Sequence, residues 1–480
     1  MRIVLVFPNQ TELDDLMDKY RYLPGYRPKP VIPLGMLYLC SNTSHQVKFI
    51  DNNIRKFTNE KLFRQIMEFK PDIVGFGGTM MEWVQARKVA KLLKEVDIPT
   101  IYGGPNGTVN SEKHIKYFDY VIRGEGEATL KELLDCLRGG GNLIKIKGLW
   151  FRENSRIVKN PDRPFIGNLD SLNYPDREII KLDEYSRETG FPTSKPADIV
   201  VSSRGCPYDC HFCSSKYFWK QTYRTRDVGK VIKEIKFMMD KYGSKTIHFR
   251  EDNFTVQRGR VLKFCDELER IGIEWVCQSR VDDVDEELVK RMKDSGCRGI
   301  SFGFESANDH TLKYLGKGIT VDQSRRAIDI CEKIGMNWSG GFMVGVLDEM
   351  KEDINTTLKF VEKIRKNPHS FLPPGAARFL GFPVSETYFE MERKGLVEYS
   401  WEDGELLVPR TYYLLAKDVE KAIRKDEVSR MGIRLRTREF MKLILKTLLP
   451  RFIFTKLRKI YRGIIYACLT TLFSGIFKCF

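Results

Sequence analysis

The chain carries two series of short apolar, β-branched runs that alternate with stretches of helical spacing, and this alternation restricts the possible folds. In the first series the predicted strands are Ile3–Phe7, Val47–Ile50, Ile73–Phe76, Thr100–Tyr102 and Tyr120–Ile122. The segment Glu82–Val96 repeats apolar residues at helical spacing. Strands that alternate with helices predict an α/β domain with a doubly wound parallel sheet, here over residues 1–140.

The second series begins at Asp198 and predicts another α/β domain over residues 198–398. Its helices include Val228–Tyr242 and Val321–Ile334, and its predicted strands are Ile199–Ser202, Thr246–Phe249, Glu274–Gln278, Gly299–Phe304, Trp338–Val344 and a sixth near Ala376–Leu380. Six such units predict an open or partial (β/α)6 barrel, with its chemistry at the carboxyl ends of the strands. Residues 141–197 are rich in proline and predict a linker with one hairpin near Leu149–Val158.

Glycines cluster where three strands of the first domain are predicted to end. The clusters are Gly75, Gly77 and Gly78, then Gly103, Gly104 and Gly107, then Gly124 and Gly126. Glycine allows a ligand to approach the backbone closely, and ligands of parallel sheets bind at the carboxyl ends of strands. Tight turns alone would explain one such cluster, whereas three at one sheet edge favour a ligand site.

Positive charge is concentrated at the C-terminal end of the chain. Residues 421–480 hold 15 Lys or Arg and 3 Asp or Glu, so 15 − 3 = +12 of the formal net charge of +16 lies there. We expect a mainly helical, basic and apolar extension over residues 399–480, in contact with an anionic membrane surface or with a protein partner. A uniformly basic surface is absent, so no nucleic acid partner is expected.

The start of the chain reads as a strand and not as a signal peptide, which predicts a cytoplasmic protein, peripheral on the inner face of the membrane if the extension binds lipid. Composition is that of a globular chain, with 42% hydrophobic and 30% charged residues, which excludes a disordered tail protein or a collagen-like chain.

Three of the 11 cysteines, Cys206, Cys210 and Cys213, lie within eight residues after the first strand of the second domain. Three thiolates on one loop can bind three irons of a [4Fe–4S] cluster and leave the fourth iron open to a substrate. Zinc bound by these cysteines and His211 is the competing interpretation, but His211 lies between two of them, which is cramped for a tetrahedral site. Cys277, on a predicted strand, is interpreted as a packing residue.

The pattern Cys-x₃-Cys-x-aromatic-Cys, with Phe212 as the aromatic residue, resembles the signature of the radical S-adenosylmethionine (SAM) superfamily. Downstream segments resemble the SAM-contacting strands of that family, namely His248–Phe254, Gln278–Arg280, Gly303–Ser306 and Gly341–Gly345. The resemblance implies a [4Fe–4S] cluster on the three cysteines and SAM on its open iron. It implies SAM-positioning roles for Phe212, Glu251, Asp252, Gln278, Arg280, Glu305, Ser306 and Gly345.

The first domain is similar to the Rossmann-like cobalamin-binding domains that precede some radical SAM barrels. The similar segments are Phe69–Phe76, Tyr102–Gly107 and Tyr120–Glu127. The resemblance implies cobalamin contacts at Thr79, Gly103, Gly104, Gly124 and Glu125. The chain departs from the pattern at two places: no His fits Asp-x-His-x-x-Gly, and Phe382–Thr387 replaces the Pro-Gly-Thr of relatives.

Together the resemblances imply a cobalamin-dependent radical SAM C-methyltransferase acting on an unactivated carbon of a lipid-like or natural-product substrate. A reducing electron donor such as flavodoxin or ferredoxin is implied as a partner, and no catalytic residue is assigned. The alternatives are another radical reaction, such as ring formation, C–C coupling or anaerobic oxidation, and a non-enzymatic iron–sulfur protein. A methylthiotransferase on tRNA would need three cluster cysteines in its N-terminal part. Residues 1–150 contain only Cys40 and Cys136, so this alternative is rejected.

Overall fold

The computed structural model describes residues 1–9, 30–79, 82–153, 156–347, 349–372, 376–379, 381, 384–395, 397–399 and 409–411. The chain divides into two compact units, residues 1–420 and 421–480, and the second lies outside the described residues. Nearly all of the extension predicted over residues 399–480 lies outside them too, as do Phe382 and Pro383, the first two residues of the Phe382–Thr387 departure.

The N-terminal part is a sheet with helices on both faces. Its strands are β1 Arg2–Phe7, β2 Gln46–Asp51, β3 Ile73–Gly77, β4 Thr100–Gly103, β5 Tyr120–Ile122, β6 Leu149–Glu153 and β7 Arg156–Lys159. Its helices are α1 Leu34–Ser41, α2 Asn52–Arg55, α3 Asn59–Met67, α4 Trp83–Lys94, α5 Gly104–Val109, α6 Ser111–His114 and α7 Gly126–Gly139. Within the described residues the strand order is β2-β1-β3-β4-β5-β6-β7, and the first five strands are parallel, which confirms the predicted doubly wound sheet.

Strand β1 is buried on both faces because its side chains alternate between two cores. Val4 and Val6 pack in one core with Leu62 of α3, whereas Ile3 and Leu5 pack in the other with Leu133 of α7. A strand covered on both sides reads as a continuous apolar run, which is how the sequence presents it. The hairpin β6–β7, predicted near Leu149–Val158, pairs antiparallel with β5 and so extends this sheet.

The second part is the predicted partial barrel. Its strands are β8 Ala197–Val200, β9 Ser203–Gly205, β10 Tyr223–Thr225, β11 Thr246–Phe249, β12 Glu274–Ser279, β13 Cys297–Glu305, β14 Trp338–Val344 and β15 Ala376–Arg378. Its helices are α8 Ser215–Trp219, α9 Val228–Tyr242, α10 Arg258–Ile271, α11 Glu286–Asp294, α12 Asp309–Tyr314, α13 Val321–Ile334, α14 Lys351–Ile364 and α15 Glu386–Arg393. Six of the described strands pair in parallel in the order β8-β11-β12-β13-β14-β15, which confirms the predicted fold class.

The short strands β9 and β10 form a separate antiparallel hairpin directly after β8, and residues 206–222 connect them. This connection carries the three clustered cysteines and α8, so the cysteines lie at the carboxyl end of the first barrel strand. Short 3₁₀ turns occupy Leu143–Lys145, Leu169–Ser171, Arg177–Ile179, Leu182–Glu184 and Val281–Asp283, and β16 Val397–Tyr399 pairs with β17 Pro409–Thr411. None of the helices in the described ranges has the length and apolar character needed to cross a membrane.

Candidate active site

The cysteine segment is a tight loop whose thiols are partly or fully buried. Cys210 is buried at 9% exposure, and Cys206 and Cys213 are half-buried. The amide of Cys213 donates to the Cys210 carbonyl at 3.1 Å, and the amide of Ser215 donates to the Cys213 sulfur at 3.4 Å. Burial raises the pKa of all three thiols, so the thiolate form needs nearby positive charge such as a bound metal.

The donor set fits an iron–sulfur cluster better than a single metal ion. Within the described parts of the chain, no three His, Cys, Asp or Glu side chains converge closely enough to hold one ion. Nδ1 of His211 donates to the Tyr314 carbonyl at 2.9 Å, and its main-chain amide donates to the Leu315 carbonyl. His211 is thereby held by the end of α12, and its Nε2 lies 3.7 Å from Glu386 Oε2. The three thiols on one loop are the donor type that iron–sulfur clusters use. Phe212 packs beside Leu315 in a separate apolar cluster.

Arg280, at the end of β12, contacts the cysteine loop. Its Nη1 lies 3.8 Å from the Cys210 sulfur, and its guanidinium lies 3.8 Å from the centre of the Tyr208 ring. Gln278, two residues earlier on the same strand, is half-buried, and its carbonyl accepts a bond from the Phe254 amide. The structure thus places Arg280 against a cysteine of the predicted cluster, while Gln278 lies farther back along the strand.

Glu305, the last residue of β13, forms a buried ion pair that the sequence did not reveal. Its Oε1 lies 2.9 Å from Nζ of Lys317, which is 7% exposed. The backbone of Glu305 has a positive φ of 64° next to a bulge in β13. Its neighbour Ser306 is 1% exposed and hydrogen bonds with Thr357 of α14 at 3.2 Å. Glu305 therefore lies at the strand end with Lys317, and Ser306 contacts the helix layer.

Glu251 and Asp252 follow β11 and take different environments. Glu251 is buried at 5% exposure and accepts hydrogen bonds from the Ser202 amide at 2.6 Å and from the Ser203 hydroxyl. Burial raises its pKa, and the charge of Arg260 opposes this shift. Asp252 is exposed and accepts a bond from the Ser215 hydroxyl at 2.9 Å, which ties it to the residue after the cysteine loop.

Gly345, after β14, is held by a carboxylate that sequence reasoning missed. The Gly345 amide donates to Glu349 Oε2 at 2.6 Å, and the Val346 amide donates to the same oxygen at 3.0 Å. The positive φ of 82° at Gly345 explains why glycine occupies this turn. Glu349 is 8% exposed, and burial raises its pKa from 4.5 to about 7. No periodic or motif signal marks Glu349, because it acts through a turn that exists only in the fold.

A cavity of about 570 Å³ opens at the carboxyl edge of the N-terminal sheet and reaches the barrel. All five residues predicted to contact cobalamin line it, namely Thr79, Gly103, Gly104, Gly124 and Glu125. From the barrel it is lined by Glu251 and Asp252, and its apolar wall includes Phe165 and Trp219. The other predicted SAM-positioning residues and the three cysteines are not among its lining residues. One space thus joins the glycine-rich edge to the loops of the barrel.

Two glycines along this edge have positive φ, and at one of them a larger residue would also clash with the backbone. Gly104 has a φ of 88°, and a Cβ there would lie 2.9 Å from the carbonyl oxygen of Gly78. Gly124 has a φ of 70° and faces open space. Thr79 donates from its amide and its hydroxyl to Glu82 Oε2 at 2.6 and 2.7 Å, so its side chain is held at the cavity rim.

Glu125 lines the cavity, but its carboxylate is bound by the protein itself. Arg204 of β9 lies 2.7 Å from Oε1, Arg224 of β10 lies 2.9 Å from Oε2, and the Ile166 amide donates to Oε2 at 2.7 Å. Arg204 also pairs with Glu127 at 2.7 Å. These arginines carry no sequence signal of their own, because their partners are 77 to 99 residues away along the chain.

The family model of the radical SAM superfamily matches residues 200–361, and the model of the B12 binding domain matches residues 27–134. A protein of Pyrococcus horikoshii described as an uncharacterized methyltransferase is 36% identical over 341 residues, which cover 69% of this chain and 73% of that protein. The anaerobic magnesium-protoporphyrin IX monomethyl ester cyclase of Rubrivivax gelatinosus is 28% identical over 370 residues, covering 74% of this chain but only 65% of the cyclase.

Among solved structures, the radical S-adenosylmethionine methyltransferase TsrM of Kitasatospora setae, with cobalamin and a [4Fe–4S] cluster bound, is similar with a TM-score of 0.68. The match covers 87% of this chain and 84% of that chain at 17% sequence identity. At this identity the likeness supports the fold, with its two domains, and not a shared substrate.

The buried Glu349 carboxyl generates a pH-dependent prediction. Because its folded pKa of about 7 exceeds its ordinary value of 4.5, the folded chain binds more protons than the unfolded chain between these values. The free energy of unfolding therefore falls as pH rises through this window, by about 3 kcal/mol from this group. Glu349→Gln cannot titrate at this position and so does not lose this stability as pH rises. Its free energy of unfolding minus that of the parent chain should therefore increase by about 3 kcal/mol between pH 4.5 and pH 7.5.

Urea unfolding at several pH values measures the difference. The matched control is Glu352→Gln on the exposed first turn of α14, which should follow the parent chain at every pH. Parallel stability curves for Glu349→Gln and the parent would contradict the assignment.

Proposed function

The chain belongs to the radical SAM superfamily and carries a B12-binding domain ahead of its barrel, and from this membership we propose that it is a cobalamin-dependent C-methyltransferase acting on an unactivated carbon. The observation that carries the proposal is the single cavity lined by both domains, because a methyl donor on one side must reach a substrate carbon held near the other. The 36% identity to a protein described as a methyltransferase supports the same reaction.

Cys206, Cys210 and Cys213 are the proposed ligands of the [4Fe–4S] cluster, and the glycine-rich edge is the proposed corrinoid site. When bound, the cluster supplies the electron that cleaves SAM for hydrogen abstraction, and the corrinoid supplies a transferable methyl group. The chain's own residues hold these groups and exclude water. Apolar side chains such as Phe76, Ile101 and Trp219 line the cavity, and a dry site protects a reactive carbon from side reactions.

The proposed SAM-positioning residues divide by their contacts. Glu251 and Asp252 line the cavity, and Asp252 also accepts a bond from Ser215, two residues after Cys213, which supports their roles. Two more of the proposed residues lie at the ends of later strands. Strand β13 ends at Glu305, which pairs with Lys317, and β14 is followed by Gly345, whose amide donates to Glu349. SAM contacts are expected at such strand ends in a barrel of this kind. Phe212, Gln278 and Ser306 stay as proposals from the resemblance alone.

Ring formation is the second candidate reaction, and one observation favours it. The cyclase of Rubrivivax gelatinosus matches 74% of this chain, although this chain spans only 65% of the cyclase. A cyclase of this architecture would use SAM cleavage without net transfer of a methyl group to the substrate. The two reactions therefore differ in the products that SAM yields.

The substrate proposed is small and lipid-like, and the proposed electron donor is a small redox protein such as flavodoxin or ferredoxin. The basic and apolar C-terminal segment, residues 421–480, supports contact with an anionic membrane surface, since 15 of its residues are Lys or Arg and residues 463–477 are uncharged.

The first prediction from this proposed function concerns SAM products in protein purified without oxygen and reconstituted with iron, sulfide and hydroxocobalamin. We expect about four irons per chain, as for one [4Fe–4S] cluster, and about one corrinoid. With SAM and a reductant we expect both 5′-deoxyadenosine and S-adenosylhomocysteine, because methyl transfer to the reduced corrinoid needs no substrate. A chain with Cys206→Ala, Cys210→Ala and Cys213→Ala should lose the iron and, because SAM binds at the open iron, both of these SAM products. Four irons with 5′-deoxyadenosine alone would refute the methyltransferase and favour the cyclase reaction.

The second prediction locates the corrinoid site. Gly103 has an extended backbone, with a φ of −149°, and a Cβ there meets only ordinary contacts at 3.7 Å or more. Gly103→Leu should fill the cavity without straining the chain and weaken corrinoid binding by about tenfold or more, which is about 1.4 kcal/mol. Gly139→Leu, at an exposed glycine outside the cavity, is the matched control. Unchanged corrinoid affinity in Gly103→Leu, measured by absorbance titration, would place the cofactor elsewhere.

The third prediction concerns the C-terminal segment. Deleting residues 430–480 should abolish sedimentation with liposomes that contain anionic lipid, because most of the positive charge is removed. Binding of the full chain should weaken with added salt. Equal sedimentation of the full and shortened chains would exclude this segment as the membrane contact.

A further inference from the structure

Cys210 differs from the other two predicted cluster ligands in its surroundings. It is the most buried of the three at 9% exposure, and a buried guanidinium faces its sulfur. Nη1 of Arg280 lies 3.8 Å from Sγ, and Arg280 is itself 5% exposed. A charged donor this close to a ligand sulfur, away from water, acts in a low dielectric where its effect is strong.

The orientation of Arg280 is fixed on every side. Nε and Nη2 each lie 2.9 Å from an oxygen of Asp282, and Nη2 also donates to the Lys317 carbonyl at 2.8 Å. The guanidinium carbon lies 3.8 Å from the centre of the Tyr208 ring. Asp282 therefore binds the Nε–Nη2 edge of the group, and Nη1 is left as the donor that faces Cys210. Tyr208 lies in the cysteine loop, so the same side chain also holds that loop.

We propose that Arg280 is a positioning residue of the cysteine loop that raises the reduction potential of the cluster through Cys210. Reduction adds one electron, taken from the external reductant, and makes the cluster more negative by one charge without forming or breaking a bond. A donor held against a ligand sulfur stabilises that added charge, and hydrogen bonds to cluster sulfurs are known to set such potentials. The inference depends on cluster binding but not on which reaction follows.

Two substitutions with opposite expected signs test the inference in the reconstituted full chain. Arg280→Gln removes the charge, so the midpoint potential should become more negative, and the ratio of reduced to oxidised cluster at a fixed potential should fall by about tenfold, which is about 59 mV for one electron. Asp282→Asn keeps Arg280 but removes its counter-charge, so the potential should become more positive. Dithionite titration followed by electron paramagnetic resonance gives the midpoint, and iron content is measured in each sample.

Arg298→Gln is the matched control, because Arg298 is near the start of β13, at the opposite end of the barrel, where it pairs with Glu274 at 2.9 Å. It should leave both iron content and potential unchanged. Parent-like midpoints in both Arg280→Gln and Asp282→Asn, with iron retained, would overturn the inference. If Arg280→Gln loses its iron, Asp282→Asn decides: a positive shift supports the inference, and an unchanged midpoint overturns it. Absence of iron from the parent chain would refute the cluster and with it the role of Arg280, and this failure is distinguished by iron content from the parent-like midpoints that refute the role alone.

Discussion

Arg204 lies two residues before Cys206 on the chain, and its guanidinium binds two carboxylates at the edge of the other sheet. Glu125 and Glu127 each lie 2.7 Å from it, and the three side chains are 4 to 14% exposed. Removing one partner of such a buried ion pair typically costs about 3–5 kcal/mol, because the other charge is left without compensation. This contact holds β9, which leads into the cysteine loop, against the residues that follow β5 and line the cavity. The geometry of both proposed cofactor sites therefore depends on it.

The cavity follows from that arrangement. Each sheet alone would present loops at its carboxyl edge, as parallel sheets do. Because the β9–β10 hairpin meets the N-terminal sheet through Arg204 and Arg224, the two sets of loops enclose one space. A reaction that moves a group from one cofactor to a carbon activated by another needs this closeness, since positioning supplies much of the rate. The same arrangement also serves a cyclase, which is why the products of SAM separate the two proposals.

Buried charges organise the barrel end of the site in a second way. Three contacts each stabilise the loop after a different strand. They are Arg280 with Asp282 after β12, Lys317 with Glu305 after β13, and Glu349 with the Gly345 amide after β14. Burial of an unpaired charge is costly, so each group holds its partner in one place. The loops are thereby preorganised, and the pKa of Glu349 is raised to about 7 as a consequence of the same burial.

Local sequence was sufficient to predict those elements whose stabilising contacts are also local. The helices Val228–Tyr242 and Val321–Ile334 begin and end as predicted, because Asp227 and Thr320 accept bonds from amides three residues later and Gly243 and Gly335 take positive φ at the ends. The cysteine spacing and the glycine clusters are likewise readable along the chain. Fold class and the family resemblance followed from them.

The pairing of distant charges was decided by the folded chain. Glu125 was predicted from its motif as a cofactor contact, which stays a prediction, and the fold pairs its carboxylate with Arg204, 79 residues away. Arg280 was expected to face SAM, which stays a prediction, and the fold places its guanidinium against Cys210, 70 residues away. Lys317 and Glu349 gave no signal at all. A helix closes its hydrogen bonds within four residues, so a short window of sequence specifies it. An ion pair between strand ends depends on the path of the whole chain, and only the tertiary structure brings those groups together.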